Sequence, residues 1–92
     1  MKVIFKPKFK RDSEKINNRE LLLALKEKIQ KIKEAESPDY ITGLKLLRGY
    51  THHFRIILKT DKFNYRIGAM IRGNKIWMVR FLPRSVVYKQ FP

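Results

Sequence analysis

The chain has 92 residues, a hydrophobic fraction of 43% and a formal net charge of +14, so it can bury one core but cannot form two domains. It has no cysteine, which excludes disulfides, thiol nucleophiles and cysteine-ligated zinc. No apolar run approaches the roughly 20 residues that span a bilayer, and the first ten residues do not resemble a signal peptide. We therefore expect a soluble cytoplasmic domain.

The N-terminal part predicts a short strand and two helices. Residues 2–6 alternate in polarity as a strand does, and residues 8–16 form the first predicted helix. Asn17 and Glu20 have the spacing of a capping box, which predicts that a second helix begins there and runs over residues 19–36. The apolar stripe of this helix should face the core and comprises Leu22, Leu25, Ile29 and Ile32, with Leu21 widening it.

The C-terminal part predicts a β-meander. Its strands alternate with a period of two and cover residues 53–59, 64–71 and 75–81, with a short additional strand over 44–48. Gly73-Asn74 is a predicted hairpin turn with positive φ at Gly73, and a short helix or coil follows from Arg84. The expected fold is α+β, in which a helical hairpin covers one face of a twisted antiparallel sheet.

The positive charge is concentrated in the predicted sheet. Residues 1–39 contain eleven Lys and Arg and seven carboxylates, whereas residues 40–92 contain eleven Lys and Arg and one carboxylate, Asp61. A cationic surface with aromatic residues between the charges concentrates polyanions, and nucleic acid is the leading candidate, RNA more than DNA. Trp77 and Phe81, which strand alternation places on one face, could stack bases, although core packing against the second helix is the stronger interpretation.

Few catalytic arrangements fit this composition. His52, His53 and Asp61 are too few for a hydrolytic metal centre, and neither a nucleophile elbow nor a phosphate loop is present. RNA cleavage fits this composition because the substrate supplies its own 2′-OH nucleophile, while the protein positions the RNA, stabilises charge and moves protons.

The candidates for phosphate binding are Arg55, Arg66, Arg80 and Arg84. The candidates for proton transfer are Tyr88, His52 and His53. The alternatives are a solvated sheet face for the arginines and a packing role for Tyr88.

Several segments resemble the RelE/ParE superfamily of toxins from type II toxin–antitoxin modules. They are FKPKF at 5–9, KLLRGY at 45–50, FRI at 54–56, YRIG at 65–68 and RFLPRSVVY at 80–88. The resemblance covers nearly the whole chain. It implies that residues 1–92 form a single toxin domain with a microbial-ribonuclease-like fold.

For the RelE branch, the resemblance implies cleavage of mRNA on the ribosome and an antitoxin protein that masks the basic face. No metal, cofactor or membrane partner is expected. The catalytic residues that the resemblance assigns are Arg55, Arg66, Arg84 and Tyr88, with His53 as an alternative proton-transfer group and Arg80 as a competitor for the role of Arg84. The other cations expected at the RNA-binding surface are Lys45, Arg48, Lys59, Arg80 and Lys89.

The chain also departs from the RelE pattern. Ile57 stands where a second basic residue is common, the loop over residues 59–64 is longer, and Arg84 lies closer to Tyr88. These departures leave open a related ribonuclease that uses a histidine. Two further functions are alternatives: a ParE-like inhibitor of DNA gyrase with the same fold, and a non-catalytic RNA- or protein-binding domain. Convergence of the four assigned side chains on one face of the sheet would favour the ribonuclease.

Overall fold

A computed structural model describes all 92 residues. The elements in chain order are β1 (Lys2–Phe5), α1 (Pro7–Glu14), α2 (Arg19–Glu34), a short 3₁₀ helix (Pro38–Tyr40), β2 (Leu44–Leu46), β3 (His53–Lys59), β4 (Asn64–Arg72), β5 (Lys75–Pro83) and α3 (Arg84–Gln90). The predicted α+β order is confirmed, and Gly73 has the predicted positive φ, at 58°. None of the three α-helices has the length and apolar character needed to cross a membrane.

The five strands form one mixed sheet in the order β1-β5-β4-β3-β2. The prediction of a wholly antiparallel sheet is wrong at one edge, where β1 runs parallel to β5 with Ile4 opposite Trp77. Parallel neighbours need a long crossover connection, and the chain between β1 and β5 supplies one because it contains two α-helices, the 3₁₀ helix and three strands. The other neighbouring pairs are antiparallel, as the meander pattern predicts.

Helix α2 is capped one residue later than predicted. The Oδ1 atom of Asn18, rather than Asn17, accepts a hydrogen bond from the backbone N–H of Leu21 at 3.0 Å. The buried face of the helix comprises Leu21, Leu25 and Ile32, and Ile29 is half-buried. Leu22 is 38% exposed, so its predicted place in the core is wrong. The reason is that Leu21 already occupies the position nearest the sheet, and the next residue is rotated by about 100° around the helix.

A β-bulge in β5 changes which residues face the helices. Gly68 lies opposite Arg80 but Ala69 lies opposite Met78, so Val79 is an extra residue without a partner. Phe81 is therefore turned onto the helix-covered face, where it is 1% exposed. Trp77 precedes the bulge and lies on the opposite face, so the prediction that these two aromatic residues share one face is wrong.

The face opposite α1 and α2 is partly covered by α3. Val87 and Phe91 form a small buried cluster with Leu47, and Val79 and Leu82 pack against it. Gly68 lies beneath Phe91, and a Cβ atom at this glycine would be 2.7 Å from Cγ of the ring. The absence of a side chain at Gly68 therefore allows α3 and its C-terminal end to sit directly on the sheet.

Candidate active site

A cavity of about 310 Å³ lies beside α3 on this second face of the sheet. Eight residues line it: Lys45, Leu46, Arg48, Arg55, Ile57, Arg66, Arg84 and Tyr88. The lining includes five cations and no carboxylate. All four residues that the resemblance assigns to catalysis are among the eight, so the structure brings them together, whereas their chemical roles stay a prediction.

The strand register explains the convergence. Lys45 on β2 lies opposite Arg55 on β3, and Ile57 on β3 lies opposite Arg66 on β4. Ile56 and Ile67 alternate with these residues and are completely buried on the helix side. Arg55 and Arg66 must therefore point to the other side of the sheet, as the period of two predicts.

Arg66 is held in place by its own strand. The side chain is 9% exposed, and its Nη1 atom donates to Oδ1 of Asn64 at 2.7 Å and to the backbone oxygen of Tyr65 at 2.9 Å. Both acceptors are neutral, so they orient the guanidinium without neutralising its charge. The positive charge of Arg66 remains available to an anion in the cavity.

Arg55 and Arg84 both approach the ring of Tyr88. The guanidinium carbons of Arg55 and Arg84 lie 4.2 and 5.3 Å from the ring centroid, distances at which cations are attracted to an aromatic face. Arg84 and Tyr88 are four residues apart in α3, which places them on the same side of the helix. The Nε atom of Arg55 is buried and has no hydrogen-bond partner.

The other candidate residues lie outside the cavity. His53 packs against Tyr50 and Phe91, with ring centroids 5.0 and 5.9 Å apart, and Nδ1 of His52 lies 3.2 Å from the backbone oxygen of Ile71. Lys59 and Lys89 are exposed and do not line the cavity. No three His, Cys, Asp or Glu side chains lie close enough together to hold a metal ion.

Arg80 has a structural partner, Asp12, which the pattern of the strands does not indicate. Its Nε and Nη2 atoms donate to the two carboxylate oxygens of Asp12, at 2.8 and 3.1 Å, and Oδ2 of Asp12 also accepts the backbone N–H of Phe81 at 2.9 Å. The hydrogen bond to Asp12 raises the pKa of Arg80, against the opposing effect of burial. Asp12 follows the buried Phe9 by three residues in α1, and this spacing could have indicated that its carboxylate points inward. Arg80 therefore ties α1 to β5 and does not compete with Arg84 at the cavity.

No protein-family model and no curated protein matches the chain. The chain is similar to a solved structure, the RelB-RelE antitoxin-toxin complex from Methanococcus jannaschii, one chain of which it matches with a TM-score of 0.73 and 26% sequence identity. The match covers 97% of this chain and 99% of that chain. The chain thus has the fold of a component of a toxin–antitoxin complex, which supports a role in a toxin–antitoxin module.

Proposed function

We propose that residues 1–92 form the toxin of a type II toxin–antitoxin module, and that this toxin cleaves mRNA on the ribosome in the cytoplasm. The observation that carries the proposal is the convergence of Arg55, Arg66, Arg84 and Tyr88 around one cavity that contains five cations and no carboxylate. The role of toxin rather than antitoxin is supported by the segments that resemble RelE/ParE toxins, because these segments supply all four residues. The antitoxin is the expected protein partner.

The cavity suits attack by a ribose 2′-OH on the neighbouring phosphate. In this reaction the 2′-oxygen forms a bond to phosphorus while the 5′-oxygen of the next nucleotide leaves, which yields a cyclic phosphate and a 5′-OH. Negative charge grows on the phosphate oxygens in the transition state, and cations fixed before the substrate arrives stabilise it most effectively. Arg66 is fixed by Asn64 and the Tyr65 carbonyl, and Arg55 by its contact with Tyr88.

Proton transfer falls to Tyr88 in this proposal. Its side chain is 50% exposed and lines the cavity, whereas neither histidine does so. A general acid or base must come within hydrogen-bond reach of the atoms that exchange protons. His53 does not line the cavity, and its ring packs against Tyr50 and Phe91. The geometry therefore favours Tyr88 over His53.

The experiment is cleavage of mRNA on programmed ribosomes by purified variants. Tyr88→Phe should lower the cleavage rate by about 10²- to 10⁴-fold, the usual contribution of general acid–base catalysis. Arg66→Ala should lower the rate at least as much, while His53→Gln should stay within a few-fold of the parent at saturating ribosome concentration. Lys33→Ala is the matched control, because it removes an exposed cation from α2, on the other side of the sheet. Circular dichroism of each variant checks that the fold is intact.

A parental rate for Tyr88→Phe beside an inactive His53→Gln would move the proton-transfer role to the histidine. Induced expression with mapping of mRNA 5′ ends tests the proposal in the cell. Growth arrest with intact mRNA and inhibited DNA supercoiling would replace the ribonuclease by a gyrase inhibitor. Binding of RNA without cleavage on ribosomes would leave a non-catalytic RNA-binding domain.

A further inference from the structure

A row of partly exposed side chains crosses four strands on the face opposite α1 and α2. Ile4 lies opposite Trp77, Trp77 opposite Met70, and Met70 opposite His53. We call these four residues the cross-strand row. Each is half-buried, and none is a member of either hydrophobic cluster. The row spans three strand spacings, about 14 Å.

A row of cations runs beside it on the same face. Lys2 lies opposite Lys75, and Lys75 lies opposite Arg72, and all three are exposed. Strand alternation places each of them two residues from a member of the cross-strand row, about 7 Å along the strand. We call these three residues the cationic row. None of the eight carboxylates of the chain lies in a strand, so nothing on the sheet neutralises it.

The two rows lie outside the cavity but on the same face of the sheet. Met70 and Arg66 are four residues apart on β4, which corresponds to about 13 Å. The cross-strand row ends at His53, which contacts Phe91 at the C-terminal end of α3. Since α3 also carries Arg84 and Tyr88 of the cavity, one extended ligand could contact the cavity and the cross-strand row together.

We propose that the cross-strand row is a stacking platform for single-stranded RNA, and that the cationic row holds the phosphates of the same strand. The choice of RNA as the ligand rests on the proposed function. Bases stack on aromatic faces with little dependence on sequence, and Trp77 carries the largest aromatic ring of the cross-strand row. A separation of about 7 Å between the rows allows one nucleotide to place its base on one row and its phosphate on the other. A double-stranded RNA would hide its bases, so we expect it to bind this surface more weakly.

Trp77 is the only tryptophan in the chain, so its fluorescence reports on this surface alone. The ligand for the experiment is a single-stranded RNA oligonucleotide with 2′-O-methyl groups, which the proposed reaction cannot cleave. Titration of the parent protein should quench the emission of Trp77 in a saturable manner. An RNA duplex of the same length should quench it less.

Affinities of variants are measured by the anisotropy of a labelled oligonucleotide. Trp77→Leu should weaken binding about 5- to 150-fold, and Trp77→Phe, which retains an aromatic ring, should remain close to the parent. Lys75→Ala should reduce the slope of log affinity against log salt by about 0.7, the contribution of one phosphate contact on a single strand. Lys33→Ala on α2 should leave the quenching of Trp77 unchanged.

RNA binding without quenching of Trp77, or a Trp77→Leu variant with parental affinity, would overturn the proposal. Quenching by an acidic polypeptide but not by RNA would also overturn it, because the surface would then be a protein contact. The outcome is separable from that of the proposed function. Loss of cleavage in Tyr88→Phe tests the cavity, whereas quenching by an uncleavable oligonucleotide tests the platform.

Discussion

Gly68→Ala should lower both the stability of the protein and its proposed ribonuclease activity through a single steric contact. A Cβ atom at this position would lie 2.7 to 2.8 Å from Cγ, Cδ1 and Cδ2 of Phe91. Ordinary carbon–carbon contacts are about 3.5–4.0 Å, so the ring must move by about 1 Å. The backbone itself is not the obstacle, because Gly68 lies in a strand and has no positive φ.

The magnitude follows from two opposing terms. Forcing an extra methyl group into a packed site costs about 1–3 kcal/mol, and replacing glycine by alanine recovers about 0.4–1 kcal/mol by restricting the unfolded chain. We expect the free energy of unfolding to fall by about 1–2 kcal/mol. Activity should fall further, because Phe91 follows Tyr88 by three residues and a displacement of 1 Å can cost about 10²-fold in rate.

Denaturant unfolding gives the stability of Gly68→Ala, and cleavage on programmed ribosomes gives its activity. Gly73→Ala is the matched control. Gly73 has a φ of 58°, and a methyl group added there would have no neighbouring atom within 4 Å, so alanine strains the turn without touching the cavity. It should cost about 1–2 kcal/mol of stability and leave the cleavage rate per folded molecule unchanged at saturating ribosome concentration.

The double variant Gly68→Ala/Phe91→Ala decides whether the contact is the cause. Removing the ring removes the clash, so the two changes together should destabilise the protein less than the sum of the single changes. If the costs add to within about 0.5 kcal/mol, the residues do not interact and the steric argument fails. Parental stability and activity in Gly68→Ala would refute it directly.

Three further predictions concern the packing and the charges, and each is tested by denaturant unfolding. Leu25→Ala should lower the free energy of unfolding by about 2–5 kcal/mol because Leu25 is only 4% exposed. Leu22 is 38% exposed, so Leu22→Ala should cost less than half as much. Equal costs would contradict the assigned buried face of α2. Asp12→Ala should cost about 3–5 kcal/mol because it leaves Arg80 unpaired, and Asp12→Ala with Arg80→Met should recover part of the loss. Arg84→Gln removes one of the five like charges at the cavity, so it should stabilise the protein at low salt. At about 1 M salt the repulsion is screened and the stabilisation should disappear. A salt-independent effect would exclude repulsion as the cause.

The elements set by local interactions could be predicted from the sequence. The 3- and 4-residue steps of apolar positions locate α2, and alternation locates β3, β4 and β5 to within two residues. The exact cap of α2 could not be predicted, because Asn17 and Asn18 are equally suitable by type. In the structure Asn18 accepts the backbone N–H of Leu21, and Leu21 is buried in the core.

Features that depend on contacts between residues far apart in the sequence could not be predicted. The parallel pairing of β1 with β5 joins residues more than 70 positions apart. The bulge at Val79 reverses the faces of the residues after it, so counting by two from Trp77 misplaces Phe81. Arg80 is an exposed cation by composition, and only the position of Asp12 in the folded chain makes it a structural residue.

Strand alternation and the family resemblance predict which residues belong to the candidate site, but not the shape of the cavity around them. Alternation places Arg55 and Arg66 on one face, but the walls formed by Leu46 and Ile57 depend on the register of β2 against β3. The position of Tyr88 at the cavity depends on the packing of α3 against the sheet, and this packing requires the glycine at position 68. A sequence pattern records neither the register nor this close approach.

The cavity gathers five cations before any ligand arrives, and the fold must offset their mutual repulsion. Neutral groups do this positioning: Asn64 and a backbone carbonyl hold Arg66, and the ring of Tyr88 lies against Arg55. A carboxylate partner would hold an arginine more firmly, as Asp12 holds Arg80, but it would also cancel the charge. The contrast between these two kinds of arginine supports a site that receives an anion. Charges fixed in advance stabilise a developing phosphorane without reorganisation during the reaction, which is the condition that electrostatic catalysis requires.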